Sequence, residues 1–388
     1  MIPYSRQKIF NDDINEVVKV LKSDFLTKGK KVLEFEKKIS LKTKSKYALS
    51  CNSGSSALHL ACLAIGLKKG DCVWTVPNTY AATANCVINS GGKIDFVDID
   101  ENTWNISVEK LEQKLVLAKK KNKLPKIIIP VHFGGLPTDQ DRIWLLSKKY
   151  NFKIIEDASH SLGAKFRNEP VGSCKWSDLT IFSFHPVKII TTAEGGAITT
   201  NNTKYFEKIK IYRENGVTDN IKKFKSKSYY PNYYEQVDTG YNYRMNEISA
   251  SLGISQLKKI DKFVSERNKI AKIYKKNLKT DLIKFQKVEN HKFSSYHLLV
   301  LQFDFNKIKI SYKELFTKLL SKGYFVNLHY KALHLNPFYK KFGFNRGDFP
   351  VAEKYSYRAL SVPIFVGLST SKIMKFIKIL KNYLDLKK

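Results

Sequence analysis

The sequence predicts an α/β protein, with a large, mostly parallel sheet domain over residues 1–256 and a smaller α+β domain over residues 257–388. Three observations predict it. Short apolar runs alternate with amphipathic helical patterns between Tyr47 and Ile155, as in a sheet covered on both faces. Two further apolar runs, Leu179–Phe182 and Ala197–Thr200, enclose a short loop that carries Lys188. From about Leu257 a long helical pattern (Ile260, Phe263, Val264, Ile270, Ile273, Tyr274) leads into a second set of strands and helices. A chain of 388 residues has room for both domains.

In chain order, Ile14, Val17, Val18 and Leu21 give a one-sided helix over residues 11–21. Asp12 and Asp13 stand at its start, where acidic side chains suit the helix dipole. The turn-like stretch Ser23–Gly29 separates it from an amphipathic helix over Val32–Ile39. Strands are expected at Tyr47–Cys51, Cys72–Val76, Ile94–Val97, Ile127–His132 and Phe152–Ile155. Helices are expected from Ala57 and over Val108–Ala118 and Arg142–Lys149, with Lys119–Lys126 a solvated loop. Asp219–Gln236, rich in lysine, serine, tyrosine and proline, reads as an irregular exposed loop. The second domain offers strands at Tyr296–Phe303 and Tyr324–Leu328 and helices at Tyr312–Lys322 and Lys372–Leu386.

Composition narrows the class. With 43% hydrophobic and 27% charged residues the chain is globular with a full core. It has no apolar run long enough to span a bilayer and no apolar signal core near Met1, so neither a membrane nor secretion is expected. Five cysteines without CxxC spacing argue against a disulfide framework and a zinc site, and for a reducing cytoplasm; no metal is expected. The net charge of +33 raises nucleic acid as a partner. The lysines are nevertheless spread along the chain rather than gathered in a stripe, and no nucleic-acid-binding motif accompanies them. A lysine-rich surface explains the charge, and its field would attract a diphosphate-bearing substrate.

Three spots carry chemistry. Lys188 follows a buried strand and is flanked by Ser183, His185 and the pair Gly195-Gly196. Burial lowers a lysine's pKa and frees its amine to attack an aldehyde. By itself an exposed loop lysine is the ordinary reading, since the chain holds 68 Lys plus Arg. The strand Tyr47–Cys51, the turn Asn52-Ser53-Gly54-Ser55-Ser56 and the following helix would make an anion site, where free N–H groups and the helix's positive end converge on a phosphate. Asp157, just past a strand, can pair with a protonated ring nitrogen, although a carboxylate ending a strand is also common without any cofactor.

The wording Phe182-Ser183-Phe184-His185 with Lys188 and then Glu194-Gly195-Gly196 resembles the Schiff-base segment of the DegT/DnrJ/EryC1/StrS sugar aminotransferases. So do the Asn52–Leu58 turn, Tyr80–Asn85, Asp157–His160, the Gly240–Glu247 segment and Asn327–Lys331, in the family's order. The resemblance implies the aspartate aminotransferase-like fold of type I transferases that use pyridoxal 5′-phosphate. It makes Lys188 the Schiff-base lysine and Asp157 the partner of the ring nitrogen. It places Tyr80 over the ring, His160 beside it, and Gly54, Ser55, Ser183 and Asn242 at the phosphate, Asn242 reaching across from the neighbouring subunit of a homodimer with shared sites.

Tyr4, Thr27 (in the arm's Leu-Thr-x-Gly turn), His329 and Tyr330 become substrate-side candidates; a packed aromatic is the alternative for Tyr4. The wording is most similar to the pseudaminic acid branch, which implies amino transfer from L-glutamate to the 4-keto carbon of a UDP-linked 6-deoxy sugar. Rival readings are another nucleotide-linked keto sugar, the deoxygenating branch with histidine in place of the lysine, and a non-catalytic basic binding protein. Three positions depart from the family wording: Ser55 for threonine, Asn215 for histidine and Ala332 for proline.

Overall fold

The computed structural model of the chain describes residues 1–226 and 233–385; the middle of the expected Asp219–Gln236 loop and Leu386 lie outside the described residues. Seven strands form the central sheet, in the order Tyr47–Cys51, Gly196–Thr200, Leu179–Ser183, Lys153–Asp157, Ile127–Ile128, Cys72–Thr75, Lys93–Phe96. Only Gly196–Thr200 runs against its neighbours. The middle strands are buried along nearly their whole length, which explains why they read as continuous apolar runs rather than alternating ones. Helices Gly54–Ile65, Ala81–Asn89, Val108–Lys120 and Gln140–Tyr150 follow strands in turn. Leu58, Leu60, Trp74, Phe96, Leu111 and Ile128 are among the residues of the main core.

The smaller sheet, Ile283–Phe285, Leu299–Phe303 and Ala359–Val362, is antiparallel. It packs with helices Ile260–Asn277, Tyr312–Ser321 and Thr370–Tyr383 around Tyr274, Leu301, Leu315, Phe376 and Leu380. The amino-terminal arm ties both parts to the Lys188 loop. Ile2–Pro3 pairs with Tyr324–Phe325, Tyr4 O accepts from Ile364 N–H at 2.8 Å, and Ser5 Oγ donates to Val187 O at 3.1 Å.

Several elements differ from expectation for local reasons. The strand expected at Ile127–His132 stops at Ile128 and resumes only as a bridge at Val131, because Pro130 has no N–H to give the ladder. The strand expected from Tyr296 begins at Leu299; Tyr296 has φ +48°, which no strand accepts. Tyr324–Leu328 shrinks to Tyr324–Phe325, followed by an isolated pairing of Asn327 with Ser361. The helix expected at Val32–Ile39 is longer, Lys30–Thr43, since Glu247 caps its first turn by accepting from Gly29 and Lys31 N–H at 3.0 and 2.6 Å. No helix among the described residues is long and apolar enough to cross a membrane.

Candidate active site

Asp157 ends one central strand, Ser183 ends the next, and Ser53-Gly54 follow a third; all three ends open on the same edge of the sheet. The single antiparallel strand starts at that edge, with Gly196 opposite both Cys51 and Ser183. Open α/β sheets place ligands beyond the carboxyl ends of their strands. There a cavity of about 630 Å³ is lined by Tyr4, Gly54, Ser55, Tyr80, Asp157, His160, Ser183, Lys188, His329 and Tyr330, along with residues the sequence did not single out, His297 among them.

One wall of the cavity comes from backbone geometry. Ser53 caps the helix Gly54–Ile65, its Oγ accepting from Ser56 N–H at 3.0 Å. The N–H groups of Gly54 and Ser55 have no partner among the described residues, so two donors and the positive helix end face the cavity. A Cβ at Gly54 would lie 2.8 Å from Ser183 Cβ, and one at Gly196 would lie 2.3 Å from Ser53 O. Only glycine lets the three segments close up.

Opposite this wall, Asp157 is buried and held by two donors: Thr83 Oγ1 at 2.7 Å and Ser159 N–H at 3.1 Å. Thr83, in turn, contacts Thr79 Oγ1 at 2.8 Å. Lys188 lies on the turn after Ser183, with Lys188 N–H donating to His185 O at 2.9 Å. Desolvation lowers its amine to about 8, partly opposed by the Asp157 carboxylate. A neutral amine is therefore far more accessible near neutral pH than on an ordinary lysine.

Three histidines surround the lysine. Burial, then the Lys188 and His329 charges, push His160 well below the usual imidazole range, and burial first does the same to His297. His329 falls to about 3 through burial and then the Lys188 charge. All three are neutral at working pH. His329 Nδ1 meets Ser361 Oγ at 2.7 Å, and its ring stands edge-on to Tyr4 at 4.7 Å. His160 packs on His297, ring centres 4.4 Å apart. Tyr330 N–H donates to Asn78 Oδ1 at 3.1 Å, and burial first keeps its phenol protonated.

Thr27 and Asn242 are not in this cavity; both are exposed. Buried Glu247 links their segments, since its N–H donates to Leu26 O at 2.9 Å while its carboxylate caps the helix after Gly29. The Asn242 segment is tied to the Asn52–Ser56 turn of its own chain as well: Asn52 N–H donates to Tyr243 O at 2.9 Å. Two of the departures have local explanations. Asn215 has φ +62°, a conformation asparagine tolerates, and Ala332 uses the N–H that proline lacks, donating to Ser356 Oγ at 2.8 Å.

The residues present fit pyridoxal phosphate. Gly54, Ser55 and Ser183 offer free donors for a phosphate, Asp157 a carboxylate for a ring nitrogen, Tyr80 a ring at the mouth, and Lys188 an amine for the aldehyde.

A UDP-4-amino-4,6-dideoxy-N-acetyl-beta-L-altrosamine transaminase from Campylobacter jejuni is 40% identical over 381 residues, covering 97% of this chain and 96% of that protein. The structure of Helicobacter pylori PseC, an aminotransferase involved in the biosynthesis of pseudoaminic acid, matches with a TM-score of 0.89, 28% identity and 99% coverage of both chains. The sugar aminotransferase Spr1654 from Streptococcus pneumoniae, in its PLP form, matches with a TM-score of 0.87 at 27% identity, covering 99% of this chain and 98% of that one. The model of the DegT/DnrJ/EryC1/StrS aminotransferase family matches residues 7–381, and the chain belongs to that family.

Proposed function

We propose that this chain uses pyridoxal phosphate to move an amino group from L-glutamate to the C4 keto group of a UDP-linked 4-keto-6-deoxy-N-acetylhexosamine, in pseudaminic-type surface-glycan synthesis. The observation that carries the reaction type is the desolvated Lys188 amine, in one cavity with the Asp157 carboxylate and a helix N-terminus with free donors. The sugar follows from the Campylobacter jejuni relative and the Helicobacter pylori neighbour described above.

Bound there, the cofactor supplies an electron sink for the carbon that loses its proton. Lys188 would hold the cofactor through its amine and, once freed by the amino donor, would serve as the base and acid that carries the proton. Asp157, fixed by Thr83 and Ser159, would keep a proton on the ring nitrogen. Such a charge-assisted bond contributes roughly 1.5–3 kcal/mol. Gly54, Ser55 and Ser183 anchor the phosphate and fix the ring relative to Lys188. Tyr80 would cover the ring and His160 would lie beside it, while Tyr4, His329 and Tyr330 would face the substrate.

In a homodimer Asn242 would reach the neighbouring subunit's site and Thr27 would lie near the sugar nucleotide; both are exposed here, on segments that Glu247 joins. The protein works in the cytoplasm on soluble substrates, with no role for nucleic acid.

The test is direct. The purified protein with pyridoxal phosphate, L-glutamate and the UDP-4-keto sugar should give the 4-amino sugar and 2-oxoglutarate by NMR and mass spectrometry. Turnover only of a keto sugar on another nucleotide would refute the UDP assignment. No turnover of any keto sugar by a cofactor-loaded protein would refute the sugar transaminase reading.

A further inference from the structure

Two hydrogen bonds on His160 set the direction of a third. Gly134 N–H donates to His160 Nδ1 at 3.3 Å, so Nδ1 carries no proton. A neutral imidazole then bears its proton on Nε2. That nitrogen faces Tyr330 Oη at 3.3 Å and must donate to it. The phenol's own proton consequently points away from His160. Among the described residues no other side chain or carbonyl receives it, and Tyr330 lines the cavity.

The surrounding structure fixes this arrangement. Gly134 has φ +67° in the turn Phe133–Gly135, and a side chain there would meet Gln286 Oε1 at 3.1 Å. Ser295 Oγ holds His160 O at 2.8 Å, and His297 packs on the imidazole from the second domain. Tyr330 is held through its N–H by Asn78, as described above.

We propose that Gly134, His160 and Tyr330 form a relay of fixed polarity, leaving the Tyr330 hydroxyl a hydrogen-bond donor into the cavity that binds the keto oxygen of the incoming sugar. The proposal rests on the sugar transaminase reading. As an amine adds to the keto carbon, negative charge grows on that oxygen, and a donor already aimed at it stabilises the charge without reorganisation. Tyr330 is the catalytic residue of the relay; His160 and Gly134 position it.

Three measurements test it. First, nitrogen-15 NMR of histidine-labelled wild-type protein should show His160 as the Nε2–H tautomer; an Nδ1–H tautomer overturns the relay whatever the activity. Second, Tyr330→Phe should bind pyridoxal phosphate with the wild-type spectrum and the wild-type Lys188 adduct. Its single-turnover rate, once charged with glutamate and mixed with the UDP-4-keto sugar, should fall by about 10²–10³-fold. An unchanged rate overturns the proposal. Third, His160→Gln can keep the polarity, accepting from Gly134 and donating to Tyr330, whereas a carboxylate in His160→Glu can only accept and turns the phenol proton inward. The Glu variant should be the slower of the two, and equal rates count against the relay. If wild-type protein fails to load the cofactor, the underlying transaminase reading fails, and the tautomer measurement still judges the relay.

Discussion

Gly54→Ala is the most informative single substitution in the wall proposed to hold the phosphate. The added methyl would sit 2.8 Å from Ser183 Cβ and 3.1 Å from Ser183 Oγ, closer than carbon and oxygen tolerate. Ser183 has little room to retreat, because its backbone is paired with Gly196 in the sheet. Gly196 is itself pressed against Ser53. The strain is relieved by turning the Ser183 hydroxyl away or by shifting the helix N-terminus, and either change loosens the donors around the phosphate. Overpacking of this size costs about 1–3 kcal/mol, which corresponds to roughly 5- to 150-fold in affinity. The assay is absorbance titration of the apoprotein with pyridoxal phosphate and, in parallel, with pyridoxal, which lacks the phosphate. The substitution should weaken the first ligand and leave the second unchanged. Equal weakening of both, or of neither, would refute the assignment of this turn to the phosphate.

Other outcomes follow from the same geometry. Only a neutral amine attacks an aldehyde, so the rate of cofactor attachment to Lys188 should rise with pH and level off above about 8. The Asp157 carboxylate raises that amine's pKa, so Asp157→Asn should move the midpoint to lower pH in stopped-flow absorbance; an upward shift contradicts the account. Ala332→Pro removes a buried N–H donor to Ser356, while the native φ of −55° already suits proline. The loss should be that of one hydrogen bond, about 1 kcal/mol in a denaturant titration. A much larger loss would mean that the backbone, and not the hydrogen bond, excludes proline here.

The parts of the site that lie beside strand ends were legible in the sequence. Asp157, Ser183 and Gly54 stand at or just past the end of a strand, Lys188 lies in the loop after Ser183, and a sheet brings such ends to one edge. Residues delivered by distant segments had no local signature. His297 sits on a second-domain segment that Tyr296, with φ +48°, keeps out of the strand; by sequence it looked like a strand interior. Thr83 read as part of a small-residue helix, and its hydroxyl bond to Asp157 spans 74 positions of sequence. Gly134 is one glycine of a pair in a loop, and only the packed structure aims its N–H at His160. Tyr330 was found by resemblance, but its hydrogen-bond polarity depends on a tautomer set by a residue 196 positions away (330 − 134).

Covalent capture at Lys188 tests the central claim most directly. Protein mixed with pyridoxal phosphate, reduced with borohydride, digested and mapped by mass spectrometry should show a visible absorbance band that disappears on reduction, and a single reduced adduct on Lys188. An adduct spread over surface lysines, or none at all, would contradict the account.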